Sequence, residues 1–132
     1  MTSSPCLVAC LLAGFLHVAC ADEPLVHFEA DPGTMENGKT LDMAFTEVER
    51  RPDASIVQVT FRSGGSVPSS LFVLRGMCLI ARSRGESYFV STRLPAPPGR
   101  YIVNFQKAVP TASEAVPRGP VFSVSQCGLL GY

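Results

Sequence analysis

Short runs in which apolar and polar residues alternate occupy most of the chain beyond residue 21. In the clearest of them, 55–62, every second residue from Val57 to Phe61 is apolar. A period of two over five to eight residues is typical of a half-buried β-strand. The alternating runs are 25–29, 40–46, 55–62, 101–106 and 121–125, and 88–92 is predicted as a further short strand.

A longer apolar stretch, 71–82, surrounds Gly76. Glycine inside a strand often marks a bulge, so we expect two strand segments here, 71–74 and 77–82. No window of the chain shows a convincing helical period of 3.6 residues.

Three segments have the composition of loops. Residues 47–53 are highly charged and end in Pro-Asp, 63–70 read SGGSVPSS, and 94–99 read LPAPPG. Proline lacks the backbone donor that a central strand needs, and glycine and serine favour turns. Seven or eight short strands separated by such breakers predict an all-β fold, an immunoglobulin-like antiparallel β-sandwich.

Phenylalanine is distributed at about one residue per predicted strand. This spacing favours a buried sandwich core over an exposed aromatic binding platform. The residues are Phe28, Phe45, Phe61, Phe72, Phe89, Phe105 and Phe122.

The N-terminal segment is typical of a secretory signal peptide. Residues 6–20 form an uncharged apolar run that is shorter than the roughly 20 residues a membrane span requires. The run ends in Ala19-Cys20-Ala21, a small-x-small pattern that predicts cleavage after Ala21. We therefore expect a signal peptide over 1–21 and a single domain over 22–132. The predicted location is extracellular, or periplasmic in a bacterium. A lipidated Cys20 and an uncleaved anchor are the alternatives.

Cleavage would leave two of the five cysteines, Cys78 and Cys127. An even pair in an exported chain predicts one intramolecular disulfide. It would close a loop of about 50 residues and stabilise the fold by roughly 4 kcal/mol. Two buried thiols or an intermolecular bridge are the alternatives. With His27 as the single remaining histidine, the pair cannot complete a four-ligand zinc site without carboxylates, so no metal or cofactor is predicted.

The same residue types argue against catalysis. His27 alternates with apolar neighbours and is expected to face solvent, which argues against a histidine-based triad. A disulfide removes the thiolate nucleophile. The carboxylate pair Glu47 and Glu49 falls in the predicted loop 47–53 and is expected to be solvated rather than held in a cleft.

Two segments of the second half carry a family resemblance. Residues 71–82 (LFVLRGMCLIAR) combine an aromatic residue, a glycine, apolar residues and Ala-Arg, and 94–105 (LPAPPGRYIVNF) join Ala-Pro-Pro to a Val-x-Phe strand. Both resemble the reeler domain, an immunoglobulin-like module found at the start of reelin and in secreted insect defence proteins. The chain lacks that family's early cysteine and its tryptophan before Ala-Pro-Pro. The resemblance implies an extracellular recognition module without catalytic activity.

The zero net charge of the whole chain conceals two opposed halves. Residues 22–53 hold nine acidic and three basic residues, net −6, and 54–132 hold eight basic and two acidic residues, net +6. Seven of the eight basic residues are arginines, which suit bidentate contact with anions. One interpretation is that the halves neutralise each other within the fold. The other is an exposed cationic binding face formed by Arg75, Arg82, Arg84, Arg93 and Arg100.

These observations lead to two hypotheses of function. The first is a secreted binding module that engages an anionic glycan, a lipid surface or an extracellular protein. The second is a small exported inhibitor or immunity-type protein that blocks an enzyme through an exposed loop, 63–70 or 94–99. Nucleic acid is not an expected partner of an exported chain, and neither hypothesis includes a membrane span.

Overall fold

The computed structural model describes residues 23–31, 33, 35–36, 39–63, 67–109 and 119–131. The predicted signal peptide lies outside these ranges. Within them the chain forms eight strands and two helices. They are β1 (His27–Glu29), β2 (Met35–Glu36), β3 (Lys39–Thr40), β4 (Asp42–Arg50), β5 (Ala54–Ser63), α1 (Val67–Ser83), β6 (Tyr88–Arg93), β7 (Arg100–Gln106), β8 (Val121–Ser123) and α2 (Val124–Leu129).

Six of these strands form one antiparallel sheet in the order β1-β4-β5-β7-β6-β8, and β2 pairs with β3 in a small hairpin. Residues paired across antiparallel strands point to the same face of a sheet. Phe45 of β4 pairs with Phe28 and Val59, and Phe89 of β6 pairs with Phe105 and Phe122. The aromatic residues thus lie on one face, as their alternation predicts, and the mostly β character of the fold is confirmed.

The segment 67–83 is an α-helix, so the prediction of two strands around Gly76 was wrong. Its buried residues recur at helical spacing and form one face, which packs against the sheet: Phe72, Gly76, Met77, Cys78, Ile80 and Ala81. Pro68 stands in the first turn, where its missing N–H has no intrahelical partner to lose. The expected loop 63–70 is therefore the end of β5 and the first turn of α1, with 64–66 outside the described residues.

Helix α1 occupies the face of the sheet that a second sheet would cover in a sandwich. An immunoglobulin-like sandwich of seven to eight strands is accordingly not confirmed. What the described residues show is a six-stranded sheet with one long helix across it. Its core contains the fully buried Phe45, Val57, Ile80, Phe89 and Val103.

The last predicted strand, 121–125, is also shorter than expected. It ends at Ser123 because this residue caps α2: the Ser123 hydroxyl accepts a hydrogen bond from Gln126 N, and the Gln126 side chain accepts one from Ser123 N. Cys127 therefore lies on a helix, beyond the predicted strand. It forms the predicted disulfide with Cys78, with Cα atoms 6.0 Å apart, and joins α2 to α1.

Candidate functional site

A groove of about 490 Å³ lies between the N-terminal half of α1 and one end of the sheet. This volume falls within the range of about 300–1,000 Å³ that is usual for small-molecule sites. We call it the α1 groove. Its lining is Met43, Val59, Phe61, Ser69, Ser70, Leu71, Val73, Leu74, Met77, Ser91, Arg93, Gly99, Tyr101 and Phe122.

The floor of the α1 groove follows from strand register. Val59 and Phe61 alternate along the end of β5, and Tyr101 at the start of β7 pairs with Arg93 at the end of β6. All four therefore point to the α1 side of the sheet. Phe61 is 51% exposed, although it continues the buried face of β5, because the helix does not cover the end of this strand. The groove thus presents apolar surface that the fold leaves open to solvent.

The polar groups of the α1 groove are few. Arg93 is exposed and is the charged residue among the described lining residues. The Ser69 hydroxyl is buried and has no hydrogen-bond partner in the described part of the chain. An apolar lining with a few polar groups is the usual composition of a binding pocket, in which the polar groups orient the ligand.

Two of the five arginines in the predicted cationic face serve the fold. Arg84 donates to two backbone carbonyls of the β4–β5 turn at 2.6 and 2.7 Å, and its guanidinium lies 4.6 Å from the centre of the Phe105 ring. Arg100 donates to Gln58 Oε1 at 3.1 Å. Both side chains are half-buried, and these contacts hold the turn and β7 in place.

The other three arginines are exposed, two of them on α1 and one at the α1 groove. Arg75 and Arg82 lie seven residues apart on α1, two turns or about 10 Å along the helix, and the Arg75 guanidinium stacks 5.6 Å from the ring centre of Phe28. Arg93 lies at the α1 groove instead. A shared cationic face of all five arginines stays a prediction.

The loop 94–99 is exposed over Pro95–Pro98, and hydrogen bonds fix its C-terminal end. Gln58 Nε2 donates to Pro98 O and Val59 N donates to Gly99 O, both at 2.8 Å. Gly99 has φ +76°, and a Cβ at this position would overlap the Val59 carbonyl, so only glycine fits here. The loop borders the α1 groove through Gly99.

Glu47 is fully buried, which overturns the prediction that it is a solvated loop residue. Strand β4 continues to Arg50, and the Glu47 carboxylate accepts hydrogen bonds from Val26 N at 3.0 Å, Ser55 Oγ at 2.7 Å and Arg50 at 2.6 and 2.9 Å. These hydrogen bonds offset the free-energy cost of burying a charged carboxylate. Glu49, two residues on, remains exposed and pairs with Arg51.

Burial acts to raise the pKa of Glu47, but the hydrogen bonds from Arg50, Ser55 and Val26 N outweigh it, and the pKa lies below its ordinary value of 4.5. The carboxylate is therefore ionised in the folded protein at neutral pH. A group held as an anion by four donors has no free proton-accepting capacity for general-base chemistry. Its role is to tie the residue just before β1 to β4 and β5.

Other candidate chemistry is sparse within the described residues. His27 is exposed on β1, as its alternation predicts, and contacts the Thr46 hydroxyl at 2.8 Å. No three His, Cys, Asp or Glu side chains of the described ranges come together to hold a metal ion. No helix in the part of the chain that the structure describes is long and apolar enough to cross a membrane.

The α1 groove does not follow from the predicted elements, because its wall is a helix where the sequence predicts two strands. Val73, Leu74 and Met77 line the groove at spacings of one, three and four, which is a helical and not an alternating pattern. These three positions alone do not reveal the helix, because the apolar residues of 71–82 run almost continuously. The sequence does not indicate that Phe61 is exposed, because this residue alternates in the same way as the buried Val57 and Val59.

Comparisons of the chain with protein-family models, with curated proteins and with solved structures found no match.

Proposed function

We propose that this protein is an exported, non-catalytic binding module that takes a ligand into the α1 groove. The observation that carries this proposal is the groove itself, an open and largely apolar site of about 490 Å³ with one charged residue in its described lining. Apolar surface exposed in a concave site favours ligand binding, since burying it against a ligand releases water.

The Cys78–Cys127 disulfide supports export, because disulfides persist in oxidising compartments. Recognition without catalysis is also the role that the reeler resemblance implies. Binding in the α1 groove does not require a β-sandwich, because one sheet and one helix form the groove. The predicted signal peptide over 1–21 belongs to the same proposal.

Titration with the uncharged apolar fluorophore N-phenyl-1-naphthylamine tests this function. We expect saturable fluorescence enhancement with the wild-type protein. Phe61→Asp places a carboxylate in the groove and should weaken binding by about tenfold or more, since a buried aromatic contact contributes about 1.5–3 kcal/mol.

The matched control is Val48→Asp, which places the same charge at another exposed apolar strand position, 40% exposed and outside the groove lining. It should leave the affinity within about twofold of wild type. Absence of saturable binding, or equal weakening by both substitutions, would show that the groove is not a binding site. Circular dichroism of both variants checks that they fold.

The loop 94–99 favours a second candidate function, an inhibitor of a secreted enzyme. An exposed segment fixed by hydrogen bonds at its base loses little conformational entropy on binding, which is an advantage for an inhibitory loop. Stoichiometric inhibition in a panel of secreted hydrolases, lost in Ala96→Asp and kept in Phe61→Asp, would assign the function to the loop and not to the groove.

A further inference from the structure

We infer that the ligand of the α1 groove is a single-chain fatty acid, with its carboxylate on Arg93 and its alkyl chain directed along α1 toward the disulfide. This inference rests on the proposed function and names the ligand class of the same groove. Three features of the described residues carry it: the charge of the lining, the position of that charge, and the shape of the space beyond it.

The charge of the lining selects an anion. Arg93 is exposed at the edge of the α1 groove, and no acidic residue stands among the described lining residues. A guanidinium forms two parallel hydrogen bonds with a carboxylate, so one arginine matches one carboxylate in both charge and geometry. Tyr101, its partner in the strand pairing, places an aromatic ring beside it on the same face.

Arg93 lies at one end of the apolar surface. On the same face of β6, Phe89 is four residues before it, about 13 Å along the strand, and pairs with Phe122 of β8. Phe122 also lines the α1 groove. The groove therefore extends from Arg93 along apolar side chains to Phe122 and carries its charge at one end, as an amphiphile with one charged head group does.

A second apolar cavity continues this direction. It has a volume of about 310 Å³, lies beside the disulfide, and shares Leu74 and Phe122 with the α1 groove. The remaining lining is Cys78, Ser123, Gln126, Cys127, Leu129 and Leu130. Leu129 is 87% exposed and Leu130 is 45% exposed at its rim. A narrow alkyl chain is the ligand shape that can pass Leu74 and Phe122 and cover apolar surface in both cavities.

Displacement of N-phenyl-1-naphthylamine by lipids of matched length tests the inference. Laurate should displace the fluorophore from the wild-type protein at about tenfold lower concentration than dodecanol, because only laurate pairs with Arg93. Palmitate should displace it at lower concentration than laurate, and hexanoate at higher concentration, since a longer chain buries more apolar surface.

Substitution of the arginine isolates the head group. Arg93→Gln should remove the difference between laurate and dodecanol while leaving dodecanol binding unchanged, and Arg93→Lys should restore part of the difference. The control Arg82→Gln removes an exposed arginine of α1 that does not line either cavity and should behave as wild type.

Several results would overturn the inference. Equal displacement by laurate and dodecanol, or an equal loss of both in Arg93→Gln, would show that Arg93 does not hold a carboxylate. Tighter binding of dodecyl phosphate than of laurate would assign a different head group, and binding to anionic vesicles that laurate does not compete would assign a membrane surface. If the fluorophore itself does not bind, it is the proposed function that fails.

Discussion

Glu47 lies on the buried face that the alternation of β4 indicates, although a charged residue in such a segment is usually interpreted as exposed. It stands in the alternation phase of Met43 and Phe45, and that phase points to the core. The alternation correctly indicates a buried strand position, whereas the charge of Glu47 and its neighbours suggested an exposed loop. What the sequence does not display is the set of donors from three different segments that makes burial of this carboxylate tolerable.

Neutralising this carboxylate should destabilise the protein strongly. Glu47→Gln leaves the Arg50 guanidinium with only the longer, exposed ion pair to Glu23 and gives Ser55 and Val26 a weaker acceptor, so we expect the free energy of unfolding to fall by about 3 kcal/mol. Urea denaturation at pH 7 measures it. Glu49→Gln, the same change at an exposed ion pair on the same strand, should leave the midpoint unchanged. Similar effects of both substitutions would contradict the structural role of Glu47.

The lowered pKa of Glu47 also predicts a dependence of stability on pH. A carboxyl whose pKa is lower in the folded than in the unfolded state stabilises the fold fully above its unfolded value, close to 4.5, and this contribution is lost as the pH falls through the folded value. The stability difference between wild type and Glu47→Gln should therefore be constant from pH 7 to about 5.5 and shrink below 4.5. A difference that stays constant down to the acid unfolding transition would refute this linkage.

At the level of elements, the strands were predictable and the helix was not. Alternation located β5 and β7 to within one or two residues, because one face of each is more buried than the other, and the β-forming residues of 88–92 located β6 equally well. In α1, half-buried Val73, Leu74 and Leu79 flank the buried face, so the apolar residues run almost continuously and hide the helical period. Gly76 then suggested a bulge, whereas it is a point of close approach between the helix and Phe45 of the sheet.

This close approach gives a prediction for α1. Gly76→Ala would improve helix propensity by about 1 kcal/mol, but its Cβ would overlap the ring of the fully buried Phe45. Overpacking of a rigid core costs about 1–3 kcal/mol, so we expect a net loss of stability in urea denaturation. The double variant Phe45→Leu/Gly76→Ala tests the cause, since the shorter side chain makes room. It should be more stable than the sum of the two single effects implies, and strict additivity would argue against the contact.

At the scale of the whole molecule, most of the arginine contacts do not follow the division of the chain into an acidic and a basic half. An ion pair between Arg62 and Asp42, 2.8 Å apart, joins the basic half to the acidic half, whereas Arg50 and Arg51 pair with carboxylates of their own half. Arg84 and Arg100 bind backbone and amide oxygens. The sequence indicates the sign of the net charge of each segment. It does not indicate which arginines form hydrogen bonds with turns and strand ends, since those contacts depend on the tertiary structure.

The disulfide acts at the scale of the whole fold, because it covalently connects two helices that are far apart in the sequence. Cys78 is in the middle of α1, and Cys127 is in the short C-terminal helix α2, 49 residues away in sequence. Constraining a loop of this length in the unfolded chain stabilises the native state by roughly 4 kcal/mol, a large share of the usual total of about 5–15 kcal/mol.

Replacing both cysteines should therefore bring the protein close to its unfolding threshold. We expect Cys78→Ala/Cys127→Ala to lose roughly 4 kcal/mol in urea denaturation, and alanine is the suitable replacement because both positions are buried and a serine hydroxyl would add an unpaired polar group. Wild-type protein kept under reductant should match the double variant, whereas reductant should not change the double variant itself. If reduction leaves the wild-type stability unchanged, packing of α2 against α1 holds the C-terminus and the covalent link does not.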